Sequence, residues 1–371
     1  MNHYKSYSRT ARMTLLAVVL IGCEPKSEPL AGSNMFRADF QRSGFWPTSD
    51  GPLELSEPAW AFSADGDGAA ASPVVYNNIV ISGHYDGKLY ALDSRNGEVL
   101  WCYKTGGGIF STPLVTEKMV IFGSDDGFVY ALNHQGELQW RYQTQDKVFA
   151  SALLWGETIY IGSLDSYLYA LNADSGELKW RFQTGNAIDS SVALAGDKLI
   201  FGSDDGYVYA LNQGGELQWR AEAGSAVDAT PAISNNNIFI ATDGGQLLKL
   251  NAETGKSVWQ YQVNDRLFAS PALTDDQIVI ATMSGTVMSL GQQSAKILWQ
   301  YQAQAPVFAS PLVTAAAVYI GTMAGDMLVL DPDNGALIST FDSGGPIFSS
   351  ANLAHGALLF SSDDGEVFYF R

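Results

Sequence analysis

Residues 124–140 read SDDGFVYALNHQGELQW and residues 203–219 read SDDGYVYALNQGGELQW, differing at three of seventeen positions across a spacing of 79. A catalytic constellation has no need of such duplication, whereas a repeated architecture does. The pattern extends in both directions. Each unit opens on small residues, usually with a proline: ASP at 71–73, then STP, ASA, SSV, ATP, ASP, ASP and SSA. The third position falls at Pro73, Pro113, Ala152, Val192, Pro231, Pro271, Pro311 and Ala351, at intervals of 39 or 40 residues. A fixed period of this length marks a solenoid or a propeller.

Within a unit there are four short β-type runs. In the second they are TPLV, MVIFG, FVYAL and ELQWRY, separated by TEK, SDDG and NHQG. Asp-Gly between strands favours a tight hairpin, because its turn positions tolerate positive φ. Four antiparallel strands every 40 residues make one blade, so the sequence predicts an all-β fold, an eight-bladed β-propeller of four-stranded antiparallel blades. Proline cannot donate to a β-ladder, which assigns the Pro-containing run to an edge facing the central channel. The tryptophan run is then outermost. Trp60, Trp101, Trp140, Trp180, Trp219, Trp259 and Trp299 are expected to dock each blade on its neighbour. Each indole can bury about 150–250 Å², an upper bound of about 4–6 kcal/mol at about 25 cal/mol/Å². The last unit ends at Arg371 after three strands, and SEPAWAFS (56–63) is a tryptophan strand with nothing before it. Residues 56–63 are therefore expected to complete the final blade, removing an exposed sheet edge.

ALDSRNGEVLW (91–101), ALNADSGELKW (170–180) and KLNAETGKSVW (249–259) resemble the tryptophan-docking motif of the PQQ-like, or quinoprotein-type, β-propeller repeat family, over about residues 60–371. FRADFQRSGFWP (36–47) is similar to the leader that precedes such propellers in secreted proteins. There are departures. Gly335 places Ser339 at the tryptophan position, with Phe341 two residues on; Ala295 replaces the motif glycine; and the small docking residue, Ala91, Ala131, Ala170 and Ala210 early on, becomes Lys249, Ser289, Val329 and Tyr369. The resemblance implies one of two roles: a dehydrogenase holding pyrroloquinoline quinone and calcium, or a cofactor-free lipoprotein scaffold in β-barrel outer-membrane protein assembly. The dehydrogenases of the family carry long inserted loops and a vicinal cysteine pair over the quinone. This chain has short, even units and only Cys23 and Cys102.

The N-terminal residues support an envelope location. Lys5, Arg9 and Arg12 precede the apolar run MTLLAVVLIG (13–22), which is too short to span a bilayer. LIGC (20–23) resembles the lipobox of bacterial lipoproteins, which makes Cys23 the residue carrying acyl chains such as palmitate; an ordinary signal peptide is the alternative. Several chains on one cysteine anchor stably where a single chain does not. Glu24, rather than Asp, directs such lipoproteins to the outer membrane, facing the periplasm. The expected organisation is a signal peptide (1–22), a flexible tether (23–35) and the propeller (36–371). Cys102, beside Trp101 in an apolar strand, is expected to be an inert packed thiol. The net charge is −18, and −21 without residues 1–22, which hold three basic residues and no acid. Such a surface repels nucleic acid and anionic lipid, leaving the lipid anchor as the membrane contact.

No catalytic, cofactor-binding or metal-binding set stands out. His84, His134 and His355 are scattered, with only His84 in a turn that could line a mouth. The aspartates of the DDG turns (125–127, 204–206, 363–365) are accounted for by hairpin chemistry, with calcium there as the alternative. TGKS (254–257) mimics a phosphate-binding loop, but Leu250 stands where its first glycine belongs. The residues that vary between units are more informative. Before each small-Pro start stand Ala70, Phe110, Phe149, Asp189, Asp228, Phe268, Phe308 and Phe348. At the matching hairpin position stand Tyr85, Asp125, Leu164, Asp204, Asp243, Met283, Met323 and Asp363. Both sets are expected on one face. Asp189, Asp204, Asp228 and Asp243 would form an acidic sector, and Phe268, Phe308, Phe348, Met283 and Met323 an apolar one, suited to a protein partner at the outer membrane. The alternatives are phenylalanines turned into the core, a small-ligand enzyme using the channel, and a carbohydrate-binding surface lipoprotein.

Overall fold

The computed structural model describes residues 34–47, 51–64, 68–69 and 71–371. Cys23, the signal segment, nearly all of the tether, and Ala70 lie outside the described residues. The rest is an eight-bladed propeller with no helix among those residues. Blade 2 shows the design: Leu114–Val115, Val120–Gly123, Phe128–Leu132 and Leu138–Gln143 pair in chain order as an antiparallel sheet. The two central strands are buried on both faces. The fourth strand alternates, with Trp140 buried and Gln139 and Arg141 exposed, as a period of two requires of a strand covered on one side. The same alternation corrects one expectation. In blade 1, Trp101 and Tyr103 turn toward the neighbouring blade, which leaves Cys102 facing outward, exposed rather than packed.

The tryptophans join consecutive blades. Each indole N–H donates to a backbone carbonyl of the next blade: Trp60 to Ser94 at 2.9 Å, Trp101 to His134 at 2.8 Å, Trp140 to Ala173 at 2.9 Å, Trp180 to Gln213 at 3.1 Å, Trp219 to Ala252 at 3.0 Å, Trp259 to Gln292 at 3.1 Å and Trp299 to Pro332 at 2.8 Å. The motif glycine of the next blade lies against the indole everywhere but at Trp259, where Ala295 takes its place with φ +52°. At Gly255, with φ +67°, an added Cβ would sit 2.5 Å from a ring carbon of Trp219. Gly255→Ala should therefore lower the unfolding free energy by roughly 1–3 kcal/mol, measured by urea titration, from combined overpacking and left-handed strain.

The departures from the motif have local compensations. Lys249 faces Trp259 across the sheet, and its buried amino group donates to the Gln292 carbonyl that the Trp259 indole also uses. Ser339, which replaces a tryptophan, donates its hydroxyl to the Leu53 carbonyl, so the segment at Leu53 lies against this bare edge. Phe341 packs edge-on against Phe360, Phe368 and Phe370 of blade 8.

The ring closes as the two ends of the repeat array predict. Trp60–Ser63 pairs antiparallel with Glu366–Phe370, and Trp60 stacks on Tyr369 at 5.0 Å. On the axis, the middle residue of every small-Pro triplet is Ser or Thr. The backbone N–H of one blade donates to the hydroxyl of the next, from Thr112 to Ser151 and onward through Ser191, Thr230, Ser270, Ser310 and Ser350 to Ser72. Blade 7 departs from four strands. Phe45–Trp46 adds in parallel to the inner edge of Leu312–Thr314, using backbone groups that an innermost strand otherwise leaves free.

That short strand belongs to the leader, which runs across the inner end of the channel. Carbonyls of Asn34, Phe40, Gln41, Ser43 and Gly44 accept from backbone N–H groups of Val115, Leu194, Ile233, Leu273 and Val313. Two arginines fasten it. Arg42, with no exposed surface, donates to the carbonyls of Val192 at 3.0 Å, Ala152 at 2.9 Å and Phe36. Arg37 donates to those of Arg42, Ser270 and Pro271. Burial pushes Arg37 down to about 9 and Arg42 down to about 10, so both remain cationic at neutral pH.

Candidate functional site: the mouth of the channel

The loop entering each first strand alternates like a strand. Ile109, Val148, Ile188, Val227, Leu267, Val307 and Ile347 are fully buried between blades. The next residue in each case, Phe110, Phe149, Asp189, Asp228, Phe268, Phe308 or Phe348, turns the other way and is only half-buried. The aliphatic neighbour already occupies the core position, which leaves the phenylalanines to line the channel. The hairpin residues lie on the same face, because their N–H groups bond the loop two residues ahead of these side chains. Asp204 donates to Ala187 at 3.0 Å, Asp243 to Ala226 at 3.0 Å, Met283 to Arg266 at 3.1 Å and Met323 to Pro306 at 2.9 Å.

The result is a cavity of about 200 Å³ ringed by the loop phenylalanines, Asp189, Asp228 and the hydroxyl belt, with Phe36 of the leader also in its wall. Two aromatic flanks face each other across it. Phe110 contacts Phe149 at 4.9 Å between centroids, while Phe268 stacks on Phe308 at 5.4 Å and Phe308 meets Phe348 at 5.5 Å. Between the flanks lies the acidic sector. Carboxylate oxygens of Asp189, Asp204 and Asp228 converge within 4.8 Å of one another. Burial, then the neighbouring carboxylates, push Asp189 up to about 7. Burial and a hydrogen bond shared with Asp204 push Asp228 up to about 8. Asp243 is raised by burial, against the opposing pull of Arg266.

The two aspartates of a DDG turn have different tasks. The second is structural: Asp126 accepts from the Gly106 N–H at 2.7 Å and the Tyr130 hydroxyl at 2.7 Å, and Asp205 accepts from the Gly185 N–H at 2.7 Å and the Tyr209 hydroxyl at 2.6 Å. It latches one blade to the next. The first aspartate is left facing the mouth.

Among the described residues the histidines do not come together. His84 is not at the mouth; it has no exposed surface and packs edge-on against Phe62 and Tyr90, where burial pushes it down to about 4. In the other seven blades its position holds Ser or Thr, so blade 1 substitutes a ring that packs against the closing strand. His134 stacks on Tyr76 at 5.0 Å. TGKS forms the turn under Trp219, its Thr254 N–H held by the Asn251 side chain at 3.0 Å. Two groups central to the channel escaped sequence reasoning: the hydroxyl belt and the leader arginines. The belt does have a signal, a hydroxyl at one position in all eight units. Arg37 and Arg42 have none, because nothing local distinguishes a buried arginine from an exposed one.

The mouth does not suit pyrroloquinoline quinone, a tricarboxylate. Its central sector presents carboxylates, and the nearest cations, Lys147 and Arg266, are paired with Asp125 at 3.0 Å and Asp243 at 3.1 Å. Arg37 and Arg42 are committed to backbone carbonyls.

Comparison with known proteins is consistent across sequence and structure. The family model described as "Outer membrane protein assembly factor BamB" matches residues 53–194, 147–222 and 204–341. Among curated proteins none matches the sequence. Similar solved structures include BamB from Moraxella catarrhalis (TM-score 0.73, 18% identity, covering 85% of this chain and 98% of that one). They also include the computationally designed Ika8 protein (0.76, 17%, 85% and 99%) and quinohemoprotein alcohol dehydrogenase from Comamonas testosteroni (0.80, 13%, 91% and 80%). At such identities the structural likeness shows the fold alone, and the fold is shared by binding proteins and enzymes.

Proposed function

The chain belongs to the family described as outer membrane protein assembly factor BamB, and from that footing we propose that it is a non-enzymatic, lipid-anchored scaffold that holds a protein partner at the outer membrane during β-barrel protein assembly. The supporting observation is the mouth: half-buried phenylalanines and methionines on two flanks, an acidic sector between them, and a leader closing the inner end. Apolar anchors beside a polar rim are what protein recognition uses. Acylation of Cys23 supplies the anchor in this reading, and the net charge of −18 makes direct adhesion to anionic lipid unfavourable.

A photo-crosslinking residue at Phe308 should give an adduct with a component of the barrel-assembly machinery in outer-membrane preparations. The double variant Phe308→Ala/Met323→Ala should lose that partner, and its thermal midpoint should stay close to the parent's, because neither side chain is fully buried. A large fall in the midpoint would give these residues to the core instead. Dye-linked alcohol oxidation appearing on addition of quinone and Ca²⁺ would overturn the scaffold reading.

A further inference from the structure

The junction between blade 8 and blade 1 differs from the other seven at one pair of residues. In blades 2 to 8 the second strand carries Phe or Ile and, two residues on, Ser or Thr, as with Phe122 and Ser124 in blade 2 or Phe201 and Ser203 in blade 4. The phenylalanine stacks on a tyrosine of the third strand, Phe122 on Tyr130 at 5.3 Å and Phe201 on Tyr209 at 5.4 Å. The hydroxyl reaches the loop that brings the chain in from the preceding blade. Ser163 donates to the Lys147 carbonyl at 3.0 Å, and Ser203 to that of Ala187 at 3.0 Å. Blade 1 reverses the two sizes. Ser82 stands at the Phe position and His84 at the Ser position, and the His84 ring meets Tyr90 at 4.9 Å and Phe62 of the closing strand at 6.2 Å. Neither residue has exposed surface. The Ser82 hydroxyl and both ring nitrogens of His84 have no hydrogen-bond partner among the described residues. Where blades 3 and 4 hydrogen-bond their incoming loop, blade 1 has a wedged ring.

An imidazole so placed is tolerated only while neutral, because a buried imidazolium without a carboxylate of its own is costly. We infer that this junction is an acid-responsive latch: once His84 takes up a proton its ring leaves the slot between Phe62 and Tyr90, and Trp60–Ser63 loosens from blade 1 while the other seven junctions hold. The neighbouring charges do not offset this. Asp86 and Lys88, on the same hairpin, pair with each other at 3.2 Å and share the Tyr90 hydroxyl. The closing strand, Trp60 to Ser63, brings no ionisable group. In blade 8, Glu366 stands opposite Ser63 and Asp363 is engaged by Tyr85. Asp65 and Asp67 lie outside the described residues. Burial outweighs the upward pull of Asp86 and holds His84 at about 4, against 6.5 for the free side chain. The closed ring therefore binds fewer protons than the opened one. Closure has its full strength above about pH 6.5 and weakens as pH falls toward about 4.

The test is hydrogen exchange read by mass spectrometry on the full-length protein in detergent at about pH 7 and about pH 5, each rate corrected for intrinsic exchange at that pH. The opening constant of Trp60–Ser63 and Glu366–Phe370 should rise about twentyfold from the higher pH to the lower, the ratio that titration limits of about 4 and 6.5 give. Lys198–Gly202, in blade 4, should change little. His84→Phe keeps a ring in the slot that cannot ionise, and His84→Ser installs the residue that blade 2 has there. In both variants the acid response of the closing strand should disappear, whatever their stability at neutral pH. The remaining carboxyls are common to parent and variants and cancel in the comparison. A closing strand no more acid-sensitive than blade 4, a loss spread evenly over all eight blades, or a response that persists in either variant would each overturn the inference. The first two outcomes are read on the parent alone, so a substitution that fails to fold leaves the parent's pattern to decide.

Discussion

Arg42→Ala should unfold at a much lower urea concentration than the parent, with a loss of about 3–5 kcal/mol. Arg42 has no exposed surface and is among the largest fully buried side chains. Among the described residues its guanidinium is the sole side-chain donor to the carbonyls of Ala152 and Val192, which belong to different blades, and it also holds the leader through Phe36. Alanine leaves a cavity the size of the missing side chain and buried acceptors without partners. Arg42→Met separates the two effects: it refills most of the volume, so a loss nearly as large as alanine's assigns the effect to hydrogen bonding, and a loss near zero assigns it to packing. The unfolding slope should stay close to the parent's if the ring still melts as one unit. Either variant matching the parent in stability would mean that the leader is not fastened through Arg42.

The second large effect concerns closure. A chain lacking Glu366–Arg371 should fail to form a monomeric, cooperatively melting ring. Val367, Phe368, Tyr369 and Phe370 are each no more than 5% exposed, and full burial of such side chains contributes about 1.5–3 kcal/mol apiece. Their sum is comparable to the entire net stability of a typical domain, about 5–15 kcal/mol. The strand is also central to blade 8. Its loss strands Trp60–Ser63 on one side and bares the edge of Ala357–Ser361 on the other. Exposed apolar edges associate, so gel filtration should show aggregates or open oligomers. A monomer with the parent's melting behaviour would refute closure by this strand.

The fold was legible because the repeat displays it eight times, and chance rarely places eight small-residue triplets at intervals of 39 or 40. The tryptophan register was legible for the same reason: Trp101, Trp140, Trp180 and Trp219 sit opposite Ala91, Ala131, Ala170 and Ala210, as the motif spacing requires. What escaped was whatever occurs once. Cys102 looked apolar from its neighbours, but a strand covered on one side exposes every second residue. His84 stood beside a turn, yet its own ring is fully buried against Phe62 of the closing strand and Tyr90. The leader arginines meet carbonyls more than a hundred residues away, and no local pattern encodes such a meeting. At the mouth, sequence placed the aspartates and phenylalanines on one face. It picked out the first aspartate of each DDG turn but not the task of the second, because that task lies in reaching an N–H at the neighbouring blade.

The leader also imposes an order in time. Residues 34–46 are made early, yet the backbone groups they bond extend from Val115 to Val313, and Trp60 waits for Tyr369. Contacts so distant along the chain form late and slowly. The opening segment is thus idle while the wedges that will grip it are still being made, and it can settle only once the seventh has arrived.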